Sequence, residues 1–112
     1  MAEPLNDVDP TTARQMVESA TVTLIDVREN DEWAAGHAPG AVHVPLADLD
    51  PSAYTDMPPL VVVCRSGGRS SKAAAKLATA GLPVHNLSGG MKAWQGAGHP
   101  VIREDGTPGT VT

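Results

Sequence analysis

Leu60-Val61-Val62-Val63-Cys64-Arg65-Ser66-Gly67-Gly68-Arg69-Ser70, continued by Ser71 to Ala80 and Gly81, contains three local patterns in succession. Leu60 to Val63 is a short, β-branched run that is apolar at every position. That suits a strand buried on both faces, as in a parallel sheet. Gly67-Gly68 then breaks the pattern with a turn. The alanine-rich stretch behind it predicts a helix from about Gly68 to Ala80, stopped by Gly81 and Pro83. A strand, a glycine turn and a helix in this order form half of a parallel βαβ unit.

The rest of the chain extends that alternation. Asp9-Pro10 predicts a helix start, with Asp9 as cap and Ala13, Met16 and Val17 turned inward. Thr21 to Val27 predicts a strand, Asn30 to Ala35 a helical turn, and Ala41 to Val44 a short strand ended by Pro45. Val84 to Leu87 predicts the last strand, and a short helix carries Met91 and Trp94. The chain is therefore expected to be α/β, with a parallel sheet covered by helices on both faces. Ligands of such sheets bind at the carboxyl ends of the strands. Cys64 lies at one such end and Asp26 at another. From Arg103 onward there is no apolar periodicity. Residues 1–102 are expected to form one domain and 103–112 a flexible tail.

The chain has 112 residues, enough for one domain. It has no Phe, so Val, Leu, Ile and Ala must build most of the core. No segment approaches the ~20 apolar residues of a membrane span. The polar start, Met1 to Asp7, lacks a signal-type apolar stretch, and a soluble, cytoplasmic protein with no membrane partner is expected. The formal charge of −5 argues against nucleic acid as a partner. Yet four of the eight Lys and Arg residues (Arg65, Arg69, Lys72 and Lys76) lie within one short stretch. At helical spacing they form either a solvated face or a patch that attracts a small anion.

Cys64 is the single cysteine, which excludes an internal disulfide and any multi-cysteine metal site. The four histidines, at 37, 43, 85 and 99, show no metal-ligand spacing, and no metal is expected. A thiol is nucleophilic as its thiolate, and a helix N-terminus or a neighbouring arginine lowers its pKa. Both are available to Cys64. Gly67 and Gly68 permit backbone angles that turn the amides of residues 65 to 69 into one ring. Arg65 and Arg69 offer forked donors to an anion, and Ser66 and Ser70 offer hydroxyls. A buried structural cysteine before a turn is the plainer alternative. The loop is also open to phosphate. Cysteine-dependent phosphatases and arsenate reductases resemble it, but their loops are longer by one residue between cysteine and arginine. The tighter ring here suits a single sulfur atom.

The loop resembles the active-site loop of single-domain, rhodanese-type sulfurtransferases. Two other stretches agree. Asp26-Val27-Arg28-Glu29-Asn30-Asp31-Glu32-Trp33-Ala34-Ala35-Gly36-His37-Ala38-Pro39-Gly40-Ala41 resembles the family's first signature, with Ala38 in place of the usual Ile. Ser88-Gly89-Gly90-Met91-Lys92-Ala93-Trp94 resembles its C-terminal signature. The resemblance implies a three-layer sandwich around a parallel sheet of about five strands. It also implies sulfur transfer from an anionic donor such as thiosulfate to a thiophilic acceptor, cyanide or a thiol, through a Cys64 persulfide. Residues Arg65, Ser66, Gly67, Gly68, Arg69 and Ser70 would bind the substrate, and no cofactor is required. Asp26 and Arg28 are expected in support, with Arg28 placed to pair with Glu32 four residues on. His37 reads as a hydrogen-bonded structural residue, and Trp33 and Trp94 as core, with Trp33 near the pocket. A sulfur-relay module serving a protein acceptor, and a cysteine-dependent phosphatase or arsenate reductase, remain as alternatives.

Overall fold

The computed structural model describes residues 4–112. The first three residues of the polar N-terminal segment lie outside it. Helix α1 spans Pro10–Glu18, and its cap is Asp9, whose carboxylate accepts from the Thr12 amide at 2.7 Å. Strand β1 is Thr23–Asp26, helix α2 Asn30–Ala35 and strand β2 Val42–His43. Strand β3 is Leu60–Val63, helix α3 Gly68–Thr79, strand β4 Val84–Asn86 and helix α4 Gly90–Gly96. The polar stretch between β2 and β3 holds two single 3-10 turns, Leu46–Asp48 and Pro51–Tyr54.

All strand pairings are parallel, in the order β2-β1-β3-β4. Four strands are present among the described residues, one fewer than the family resemblance implies. Outside β4, residues 5–8 run along the sheet edge. There the Leu5 and Val8 amides donate to the carbonyls of Val84 and Asn86. Only Val8 makes a bridge, to Leu87, because Asp9-Pro10 turns the chain into α1 two residues later.

The apolar run of β3 is the centre of the fold. Leu60 and Val62 pack with Ile25 and Val84 against Ala73, Ala74, Leu77 and Ala78 of α3. Val61 and Val63 pack with Leu24 and Leu87 against Ala13 of α1 and Met91 and Trp94 of α4. Alternate residues thus supply opposite layers, as the pleat requires. The same alternation sends Cys64, the next residue in phase with Leu60 and Val62, to the α3 layer. Each fully buried aliphatic side chain contributes roughly 1.5–3 kcal/mol by leaving water. Trp94 is buried with its indole N–H donating to the Pro100 carbonyl at 2.8 Å.

Residues 103–112, expected as a flexible tail, instead fold back onto the domain. Ile102 bridges both His37 and Pro108, the Gly109 amide donates to Val101, and the Thr110 amide donates to Ala35. Sequence periodicity is blind to this packing because glycine contacts and backbone hydrogen bonds, with few apolar side chains, hold it in place.

Candidate active site

Cys64 leaves the carboxyl end of β3 and is 1% exposed. Its Sγ accepts a hydrogen bond from the Gly67 amide at 3.0 Å and one from the Ser70 hydroxyl at 3.3 Å. Burial alone would push the thiol pKa up. Hydrogen bonds from the Ser70 hydroxyl and from the amides of Ser70, Gly67 and Ser66 outweigh it, and the net shift is downward. The loop therefore stabilises the thiolate mainly through donors aimed at sulfur.

Two glycine positions explain how the donors come to face inward. Gly67 has φ +116°, a left-handed angle that other residues resist, and sits at the N-cap of α3. Gly68, expected to share this duty, is simply the first residue of α3 and has no positive φ. The second position is Gly90, with φ +63°. A Cβ there would lie 2.5 Å from the carbonyl oxygens of both Cys64 and Arg65. Those two carbonyls accept from the amides of Met91 and Lys92 at 2.8 and 3.0 Å. The start of α4 thus holds the loop's carbonyls outward, which leaves its amides free to turn toward sulfur.

The cationic side chains do not simply line the ring. Arg69 is held by Glu32 in a forked pair, with Nη1 at 2.6 Å from Oε1 and Nη2 at 2.8 Å from Oε2. That hydrogen bond holds the Glu32 carboxyl down to about 2 and raises the Arg69 guanidinium. Arg65 is exposed and donates through Nε to a main-chain oxygen of Thr112 at 2.8 Å. Ser66 is exposed and contributes its amide, while Ser70 is buried and contributes its hydroxyl. Lys72 and Lys76 lie on the exposed face of α3.

Asp26 and Arg28 form a fully buried pair. Arg28 Nη2 lies 2.7 Å from Asp26 Oδ2 and also donates to the Gly36 carbonyl at 2.7 Å. The expected Arg28–Glu32 pairing is therefore replaced by two others, Arg28–Asp26 and Arg69–Glu32. Local spacing assigns Glu32 to Arg28, because the partner it actually takes lies 37 residues away. His37 Nδ1 lies 3.0 Å from the Trp33 carbonyl, and its ring stacks on Trp33 with centroids 3.6 Å apart. His43 also lies parallel to Trp33, at 4.8 Å.

Residues 9–97 match the family model described as Rhodanese-like domain. The chain belongs to the rhodanese-like domain family. It is 35% identical to a sulfurtransferase of Allochromatium vinosum, over 91% of this chain and 99% of the relative. It is 34% identical to the thiosulfate sulfurtransferase GlpE of Pseudomonas aeruginosa, over 85% of this chain and 88% of the relative. The chain spans 58% of the length of a Synechocystis relative to which it is 34% identical. Among solved structures, a rhodanese-related protein of Thermoplasma volcanium superposes with a TM-score of 0.82 at 24% identity. That superposition covers 89% of this chain and all of the other, and it supports the fold alone. The rhodanese-like fold therefore carries Cys64 at the carboxyl end of its central strand. No helix among the described residues is long and apolar enough to cross a membrane.

Proposed function

We propose that this rhodanese-like domain is a sulfurtransferase whose Cys64 carries sulfur as a persulfide, with thiosulfate as donor. The observation that carries the reading is the sulfur's own environment. Sγ takes hydrogen bonds from the Gly67 amide and the Ser70 hydroxyl at the start of α3, which favours the thiolate. The similarity to the sulfurtransferases of Allochromatium vinosum and Pseudomonas aeruginosa supports the same chemistry.

In the first half-reaction the Cys64 thiolate attacks the outer sulfur of thiosulfate. A bond forms between Sγ and that sulfur. The sulfur–sulfur bond of the donor breaks, and sulfite departs with its electron pair. In the second half-reaction a thiophilic acceptor, cyanide or a thiol, attacks the outer sulfur of the persulfide. Cys64 then leaves as the thiolate. The amides of Ser66, Gly67 and Ser70 stabilise negative charge on the sulfur at both stages, as donors placed before the reaction do. Arg65 presents positive charge to the anionic donor. Asp26 and Arg28 act from beneath, by fixing the chain around Gly36. No cofactor takes part in either step.

Steady-state turnover of thiosulfate and cyanide, read as thiocyanate, tests the proposal. Parallel double-reciprocal lines, and loss of turnover in Cys64→Ser, are expected. Hydrolysis of an aryl phosphate in place of thiocyanate formation would overturn the sulfur reading. Transfer only to a protein thiol, with none to cyanide, would assign the domain to a sulfur relay instead.

A further inference from the structure

Residues 101–112 lie beyond the segment that matches the family model, and their path is specific. The chain runs beside His37, whose amide donates to Ile102 at 2.8 Å, and reverses at Asp105-Gly106. It then returns over Gly36. Two glycines make that crossing possible. A Cβ on Gly36 would lie 2.6 to 2.7 Å from Val101 Cγ1 and from the Thr110 backbone. A Cβ on Gly109 would lie 2.7 Å from the Ala35 carbonyl and 2.8 Å from Gly36 Cα. The reversal is fastened at Glu104, which accepts from the Trp33 indole N–H at 2.7 Å. Beyond the crossing, Val111 packs against the core layer of Met91 and Trp94. Thr112 then accepts from Arg65 Nε at 2.8 Å.

We infer that this C-terminal strap is a positioning element for the anionic substrate. By taking Arg65 Nε, it fixes the guanidinium and leaves both Nη groups to meet an anion at the mouth of the loop. An exposed arginine otherwise samples many rotamers, and ordering it costs free energy at each binding event. The strap prepares Arg65 in advance. In the first half-reaction the anion that Arg65 meets is the sulfur donor, so the strap acts on donor binding. The inference rests on the role proposed above for Arg65, but its first test does not require sulfur transfer.

The test compares alkylation of Cys64 by anionic iodoacetate with alkylation by neutral iodoacetamide. The rate ratio reports how strongly the site favours an anion, whatever the natural reaction. Arg65→Gln is expected to lower the ratio roughly threefold, the size of one partly screened charge. Gly109→Val, which displaces the strap at its crossing, is expected to lower it similarly. A chain shortened to residue 110 removes the Thr112 acceptor without touching the glycine crossing, and should match. Combining either change with Arg65→Gln should lower the ratio no further. In thiosulfate turnover the strap variants should raise KM for the donor and leave kcat near its original value. An unchanged ratio in the shortened chain would overturn the inference. So would a raised ratio, which would mark the strap as an obstacle, or effects that multiply with Arg65→Gln. Absence of persulfide formation together with the expected ratios would overturn the sulfurtransferase reading and keep the strap.

Discussion

Arg69 and Glu32 are joined by two short, parallel hydrogen bonds, 2.6 and 2.8 Å, across 37 residues of sequence. The pair ties the first turn of α3 to α2 and so fixes one side of the cysteine loop. It also means that Arg69 is already paired with a carboxylate, whereas Arg65 is exposed.

The pH dependence of this pair follows from the Glu32 carboxyl, held at about 2 chiefly by its hydrogen bond to Arg69. A depressed carboxyl contributes stability that is full above its unfolded pKa and is lost as pH falls through the folded value. Glu32→Gln should therefore cost about 1 kcal/mol at neutral pH, the upper end for a partly exposed pair. The deficit relative to wild type should shrink as pH falls from about 4.5 toward 2. Urea unfolding of both proteins across that range checks it, and a constant deficit would count against the pairing.

Ser70→Ala removes one of the donors that holds the Cys64 thiolate. A hydrogen bond to a charged group is worth about 1.5 kcal/mol, so the thiol pKa should rise by about one unit. The midpoint of the pH profile for iodoacetamide alkylation should move in the alkaline direction by that amount. An unmoved midpoint would mean that the backbone amides alone set the thiolate.

Two glycine substitutions near the loop should behave oppositely. Gly90→Ala places a Cβ against the Cys64 and Arg65 carbonyls at a left-handed φ, with no room to yield. It should cost about 2 kcal/mol or more in thermal unfolding and disturb alkylation of Cys64. Gly68→Ala meets nothing within 4 Å and starts a helix at an ordinary φ. It should be neutral or stabilising by up to about 1 kcal/mol. Similar losses in both would refute the role given to Gly90.

The buried pair Asp26–Arg28 predicts a larger effect. Asp26→Ala strands a fully buried guanidinium, whose Nη1 already has no partner among the described residues. The cost should be about 3–5 kcal/mol, visible as a steep fall in the unfolding midpoint. A loss of activity at unchanged stability would instead place Asp26 in contact with substrate.

What the sequence reveals and conceals divides along the range of the interactions. The strand Leu60–Val63, helix α3 and the α1 cap at Asp9 are legible because each is fixed by neighbours within a few residues. The cysteine's place at a strand end follows from the same local pattern. The choice of partners for Arg28 and Arg69 is not local, and helical spacing alone suggests Arg28–Glu32. Gly89-Gly90 is visible as a motif, but its reason, the close approach to the Cys64 and Arg65 carbonyls, appears only in three dimensions. Residues 103–112 look unstructured because their order comes from Gly36 and Gly109 meeting across the chain.

The central claim is that Cys64 carries a sulfur atom, and intact mass spectrometry after exposure to thiosulfate tests it most directly. Wild-type protein should gain the mass of one sulfur atom, lose it on addition of cyanide, and show no gain in Cys64→Ser. A wild-type mass unchanged by thiosulfate would contradict the account.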